Sequence, residues 1–378
     1  MDQGFPRPVG RAIQIGLVRL RRLSFTTMGM IIRTVAHLLL IIVASAAAGC
    51  AASAPAVEGG PAPSFRQAVF AEGRLWLLTD DGELSSLAQG EDRPRSARLD
   101  SPVLNICSSG GRLKAVTGQS RGASTWSLRS HTGGGWQSDV QIDADDEELL
   151  GIACDGDRVT LLSTSRIREV HDRDVRSLRL SESLRPYPAI TTMLAAGDAL
   201  YVGVNIGEWG GGLRRIERST GRVAMIERAD NADPCGTPLD SRCDPVNGLI
   251  ASPRNPDCVM AAIGLVHFLP SGRIVEICGD AVELVFSREY RPDPANAEPY
   301  GEIAFFGVAP SGDGIVAAGI DGIYRLTSSG EFVRRETPTW RRYGSARVSY
   351  EDPEVILVMT DINQRASVSG STPILVPR

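Results

Sequence analysis

The chain has 378 residues, with 40 Lys plus Arg against 45 Asp plus Glu and a net charge of −5 at pH 7. Residues 1–49 hold six of the arginines and one aspartate, so the remainder carries 34 basic and 44 acidic residues, a net charge of −10. That balance disfavours nucleic acid and anionic lipid surfaces as partners. Lys114 is the only lysine, which reflects codon usage rather than function.

Arg33 opens the first element in chain order. A mostly apolar run follows it, and Ala47, Ala48 and Gly49 lead directly to Cys50. The run is shorter than the roughly 20 residues a transmembrane helix needs. This order resembles the lipobox of exported bacterial lipoproteins, with Ala47 where that family prefers Leu. The resemblance implies cleavage before Cys50, lipidation of its thiol (palmitate among the acyl groups) and attachment to a membrane. An ordinary cleaved signal with an incidental cysteine is the alternative. Met28 or Met30 would each give a signal of normal length, and Arg21–Arg22 match a twin-arginine motif only loosely. Residues 1–49 are therefore read as a targeting segment. Residues 50–65 are read as the lipidated cysteine and a flexible tether, since AASAPAVEGGPAPS has almost nothing to bury. By the same resemblance, a residue other than Asp at position 51 implies the outer membrane of a Gram-negative cell, facing the periplasm or the cell surface.

From residue 66 to 378 one pattern recurs. Segments starting at Gln67, Leu104, Leu150, Thr192, Gly248, Phe306 and Val348 each show a short apolar strand, a turn rich in Gly, Asp, Ser or Pro, and a second β-rich strand. Most continue into a third and fourth strand. A period near 40 residues made of four short strands marks a β-propeller blade, so an all-β propeller of about seven blades is expected, with six possible. A pair of β-sandwiches is the competing fold.

The cysteines suit an exported chain. Setting Cys50 aside leaves six, an even number. Spacing suggests Cys107 with Cys154, at equivalent places in consecutive repeats, Cys235 with Cys243 across a short loop, and Cys258 with Cys278 on consecutive segments of one repeat.

Catalytic motifs are weak. Gly118–Gly122 spells G-x-S-x-G, but a nucleophile elbow needs Ser120 on a strand-to-helix turn, and another strand follows here. Asp143, Asp145, Asp146, Glu147 and Glu148 have calcium-loop spacing without the sharp-turn Gly, and read better as a solvated loop between blades. From Asp244, DPVNGLIASPRNPDC resembles a stretch of the gluconolactonase and senescence-marker propellers. The resemblance implies Asn247 as ligand to a divalent cation such as Ca²⁺ at the channel mouth, although Phe306 falls near the place of that family's second ligand. A metal-dependent hydrolase of the lactonase type is thus the alternative to the main expectation, a binding or scaffold module in the cell envelope with a protein or glycan partner.

Propeller geometry selects a face. Connections from second to third strand and from blade to blade emerge at one end. Three enlarged loops belong there: 205–212, 228–245 and 288–302. They bring Glu208, Trp209, Asp233, Asp240, Asp244, Asn247, Tyr290, Asp293, Glu298 and Tyr300 toward one sector, because recognition concentrates on loops held by a rigid scaffold. Trp209 is the expected anchor, with packing between blades as its other use.

Substituting Cys50→Ser should release the protein from membranes or leave the precursor uncleaved. Membrane fractionation and intact mass check this, and a variant that still fractionates with membrane at the mature mass refutes lipidation.

Overall fold

The computed structural model describes residues 65–335, 346–351, 355–361 and 371–377, apart from positions 90, 92, 134, 185–189, 229–234, 236, 293–297, 313 and 328. The expected targeting segment, Cys50 and the expected tether through residue 64 lie outside the described residues, as do Asp233 and Asp293. All described residues belong to one compact unit, Gly60–Arg378.

Strands dominate because short apolar runs alternate with glycine-bearing turns. Six four-stranded antiparallel sheets follow one another, each pairing its strands in chain order, and a seventh repeat contributes three strands among the described residues. We number these sheets as blades 1 to 7. Their inner strands are Phe65–Ala71, Val103–Ser109, Leu149–Asp155, Ile190–Ala196, Val246–Ala251, Phe305–Ser311 and Ala346–Glu351. Successive inner strands pack side by side, and the last packs against both Phe305–Ser311 and Phe65–Ala71, which closes the ring. The fold is an all-β propeller.

The core is divided among the blade interfaces. Five apolar clusters each span one neighbouring pair, such as Trp76, Leu78 and Leu84 of blade 1 against Ile106, Leu113 and Ala115 of blade 2. One blade cannot bury both of its faces alone, and radial stacking does so. The outer strand of blade 3, Asp174–Arg179, is almost wholly exposed, as an edge should be.

Register supplies a second tie. The pairing of inner and second strands shifts at the same place in blades 1 to 6, leaving Arg66, Leu104, Leu150, Thr191, Asn247 and Phe306 unpaired as bulges. Three of these residues reach the next blade. Arg66 Nη2 donates to the Val103 carbonyl at 2.8 Å, Thr191 Oγ1 to that of Val246, and Asn247 Nδ2 to that of Phe305 at 2.9 Å. A bulge redirects a side chain that a regular strand would have kept in the pleat.

Three disulfides join the expected partners. Cys107 and Cys154 link the inner strands of blades 2 and 3, with Cα atoms 5.8 Å apart. Cys235–Cys243 closes part of the connection between blades 4 and 5, and Cys258–Cys278 cross-links the second and third strands of blade 5. The acidic run at 143–148 proves to be a clamp between blades rather than a merely solvated loop. Asp145 and Glu147 pair with Arg166 and Arg168 of blade 3. Arg168 is 1% exposed and lies 5.3 Å from the Trp126 ring of blade 2. Burial works against ionisation of Glu147, but hydrogen bonds from Ser163 and Ser165 hold it below its ordinary value. Ser120 lies between two strands, Arg112–Thr117 and Thr125–Thr132, and so lacks the helix that an elbow requires.

Loop-closure entropy ranks the bridges by the chain they enclose. Replacing both Cys107 and Cys154 by Ala should lower the unfolding free energy by about 4 kcal/mol, against about 3 kcal/mol for Cys258 and Cys278. Urea unfolding of the two double variants checks that order.

Candidate binding face

The end selected from the sequence is built around blades 4 and 5. A single 3-10 turn, Gly207–Trp209, connects the second and third strands of blade 4. It is followed by Gly210 and Gly211 at φ +82° and +142°. A Cβ on Gly210 would meet the Ser241 carbonyl oxygen at 2.3 Å, and one on Gly211 would meet that of Val204 at 2.1 Å. Gly210 and Gly212, where a Cβ would meet Ser241 or Arg242, let residues 237–245 lie directly over the strand, with Gly211 N donating to Ser241 O and Gly212 N to Asp244 O, both at 2.8 Å.

Two carboxylates fix that connection from inside. Asp240, fully buried, accepts from the backbone N–H and guanidinium of Arg242, and this partner holds its carboxyl down at about 2 despite burial. Asp244, 3% exposed, accepts from Asp240 N at 2.7 Å and from Arg273 Nη2 at 2.6 and 2.7 Å. Burial pushes the Asp244 carboxyl up to about 6, outweighing the pull of Arg273. Both aspartates, expected on the binding surface, serve the interior instead. Tyr290, 5% exposed, is likewise part of the blade 5 and 6 core.

Asn247 is also committed. Its carboxamide nitrogen donates to the carbonyls of Gly264 and Phe305, and its oxygen accepts from Asn205 Nδ2 at 2.7 Å. Among the described residues, no three His, Cys, Asp or Glu side chains gather closely enough to hold a metal ion. The geometry at Asn247 is that of a tie between blades.

What remains at the surface is aromatic. Trp209 is 74% exposed, and the carboxylate of Glu208 beside it lies 2.9 Å from His267 Nδ1. His267 ends the second strand of blade 5, and that hairpin is unusually long, with two ten-residue strands. His267 pairs with Leu269, leaving Phe268 alone at the tip. Phe268 has φ +52° and is 86% exposed, while Leu269 is 56% exposed. A bulky residue in the left-handed region costs roughly 1–3 kcal/mol, strain that concentrates at functional sites. Tyr300, 49% exposed, precedes Gly301 and Glu302, which lie against the Pro270 carbonyl beneath the same tip. Glu298 is exposed on the same loop. Of the expected residues, Glu208, Trp209, Glu298 and Tyr300 are thus presented to solvent.

Sequence reasoning missed Phe268 and Leu269. The run ending GLVHFL reads as a β-rich strand, with nothing at Phe268 itself to mark a hairpin tip. A signal was present in Gly264 and Gly272, which pair across the hairpin and sit symmetrically about Phe268.

The Asp244 carboxyl binds its proton more tightly in the fold, near 6, than in the unfolded chain, near 3.8. Its contribution to stability is therefore greatest below about pH 4 and declines as pH rises toward about 6. Relative to Asp244→Asn, the wild-type protein should lose stability across that window and run parallel above it. Urea unfolding at stepped pH is the check.

No protein family model matches the chain, and no curated protein matches it by sequence. Among solved structures it is similar to virginiamycin B lyase from Staphylococcus aureus, at 15% identity and a TM-score of 0.49, covering 80% of this chain and 93% of that one. It is also similar to BamB from Moraxella catarrhalis, at 13% identity and a TM-score of 0.41, covering 78% and 82%. The BT4673 extracellular domain from B. thetaiotaomicron matches at 14% identity and a TM-score of 0.48 over 83% of this chain, which spans only 38% of that domain.

Proposed function

We propose that this protein is an extracytoplasmic binding propeller, anchored through a lipid on Cys50, that captures a protein partner of the cell envelope on the end carrying Trp209 and Phe268. One observation carries the reading. Four large apolar side chains, Trp209, Phe268, Leu269 and Tyr300, stand exposed on neighbouring loops of one face. Aromatic anchors of this kind supply most of the binding energy in protein interfaces. Glu208 and His267 add a polar pair beside them. Strain at Phe268 further supports the reading, since a glycine at that tip would avoid it.

Three disulfides support the compartment, because such bonds persist in oxidising surroundings. The lipobox resemblance at Ala47–Cys50 supports the anchor. The composition of residues 51–64, with almost nothing to bury, suits a spacer between such an anchor and a folded domain.

Trp209→Ala should change stability by no more than about 0.5 kcal/mol, because an exposed side chain leaves no cavity. Phe268→Gly should match or exceed wild-type stability by relieving the backbone. Both variants should lose partner recovery from envelope extract when the mature domain is the bait. Thermal melting and comparative pull-down read the two effects separately, and unchanged recovery by both variants refutes the face.

A further inference from the structure

The opposite end of the propeller holds a second concavity. The turn between the first two strands of blade 1 and the turn between the last two of blade 2 border a cleft of about 890 Å³. Its wall is aromatic. His131 stands edge-on to two indoles, with ring centres 4.8 Å from Trp76 and 5.1 Å from Trp136. Trp76 is buried and its Nε1 donates to the Ala71 carbonyl, which fixes the wall, while Trp136 is half-buried at the opening.

Polar groups in the cleft are left with unused capacity. His131 Nδ1 lies 2.6 Å from Glu72 Oε2. The other Glu72 oxygen is buried and has no hydrogen-bond partner. A buried acceptor without a donor is costly, and because Glu72 lines the cleft, a small rotation of its side chain would let a ligand hydroxyl satisfy it. Glu72 is held at φ +56°, so the backbone is strained to present it.

Charge completes the picture. Arg74 and Arg95 both pair with Glu91, at 2.8 and 2.6 Å. Arg98 and Arg112 also line the cleft and are exposed, and their side chains make no hydrogen bond or ion pair among the described residues. Four arginines therefore face two carboxylates, in a chain whose mature part is acidic overall. The local field favours an anion, and guanidinium groups recognise carboxylates through paired hydrogen bonds. A bare inorganic anion would use neither the indole nor the free Glu72 oxygen.

We propose that this cleft binds an acidic saccharide, with Trp136 against the sugar ring, Glu72 and His131 on its hydroxyls, and Arg98 and Arg112 on its carboxylate. This site lies apart from the Trp209 face and goes beyond the function proposed above.

The test titrates the mature protein with trigalacturonate and with a glucuronate-bearing hyaluronan tetrasaccharide, following tryptophan fluorescence. Neutral galactose trisaccharide and inorganic phosphate are the comparison probes. At least one acidic saccharide should bind, and the neutral sugar and phosphate should each bind about tenfold more weakly or worse. The Arg98→Ala/Arg112→Ala variant changes only exposed side chains and should melt like wild type, yet lose about tenfold or more in affinity for the acidic saccharide. Glu72→Gln should weaken the same binding. Absence of binding by both acidic saccharides up to about 10 mM overturns the proposal. So does equal binding of the neutral sugar or phosphate, or unchanged affinity in the double arginine variant.

Discussion

Contact between neighbouring blades is the constraint on which everything else depends. Each sheet has two faces to bury and only its neighbours to bury them against, so the five apolar clusters lie between blades rather than within them. The bulge near the start of the inner strand in blades 1 to 6 adds direction to that contact. Arg66, Thr191 and Asn247 each place a side-chain donor on a backbone carbonyl of the next blade, at equivalent positions around the ring. Such bonds fix the angle between sheets in a way that apolar area alone does not. Arginine reinforces the rims, as Arg168 does toward Asp145 and Arg218 toward Glu169 of the preceding blade.

That frame explains why the exposed aromatics can be held where they are. Residues 237–245 are pinned by Asp240, Asp244 and Arg273, and they in turn pack on the glycines that follow Trp209. The Phe268 hairpin rests on blade 6, where Cβ atoms at Gly264 and Gly272 would collide with the backbone of residues 303–305. Rigid support below permits strain above. A left-handed phenylalanine at the tip persists because ten-residue strands on both sides determine its place.

Much of the fold was legible in the sequence because strand period and turn chemistry are local signals. All seven segment starts, from Gln67 to Val348, fall inside inner strands, and the three cysteine pairs followed from spacing within that repeat. The face was less legible. Trp209 sits in a glycine-rich turn, a signal that survives without knowledge of neighbours. Whether Asp240 and Asp244 point outward depends on Arg242 and Arg273, and the second of these lies 29 residues further along the chain. Phe268 was hidden for the opposite reason, since an apolar residue in a β-rich run looks interior until the hairpin tip is located. The cleft beside Trp136 joins residues from two blades, and no single stretch of chain announces it.

The bridges described above have one more property. Numbering the six propeller cysteines in order, the first pairs with the second, the third with the fourth and the fifth with the sixth. A chain crossing a membrane N-terminus first, and oxidised as it emerges, meets its cysteines in that sequence. An oxidant that joins each new thiol to the one just before it would therefore reach the native connectivity directly. Blades 2 and 3 would be linked before the thiols of blade 5 appeared, and maturation would need no enzyme to reshuffle wrong pairs.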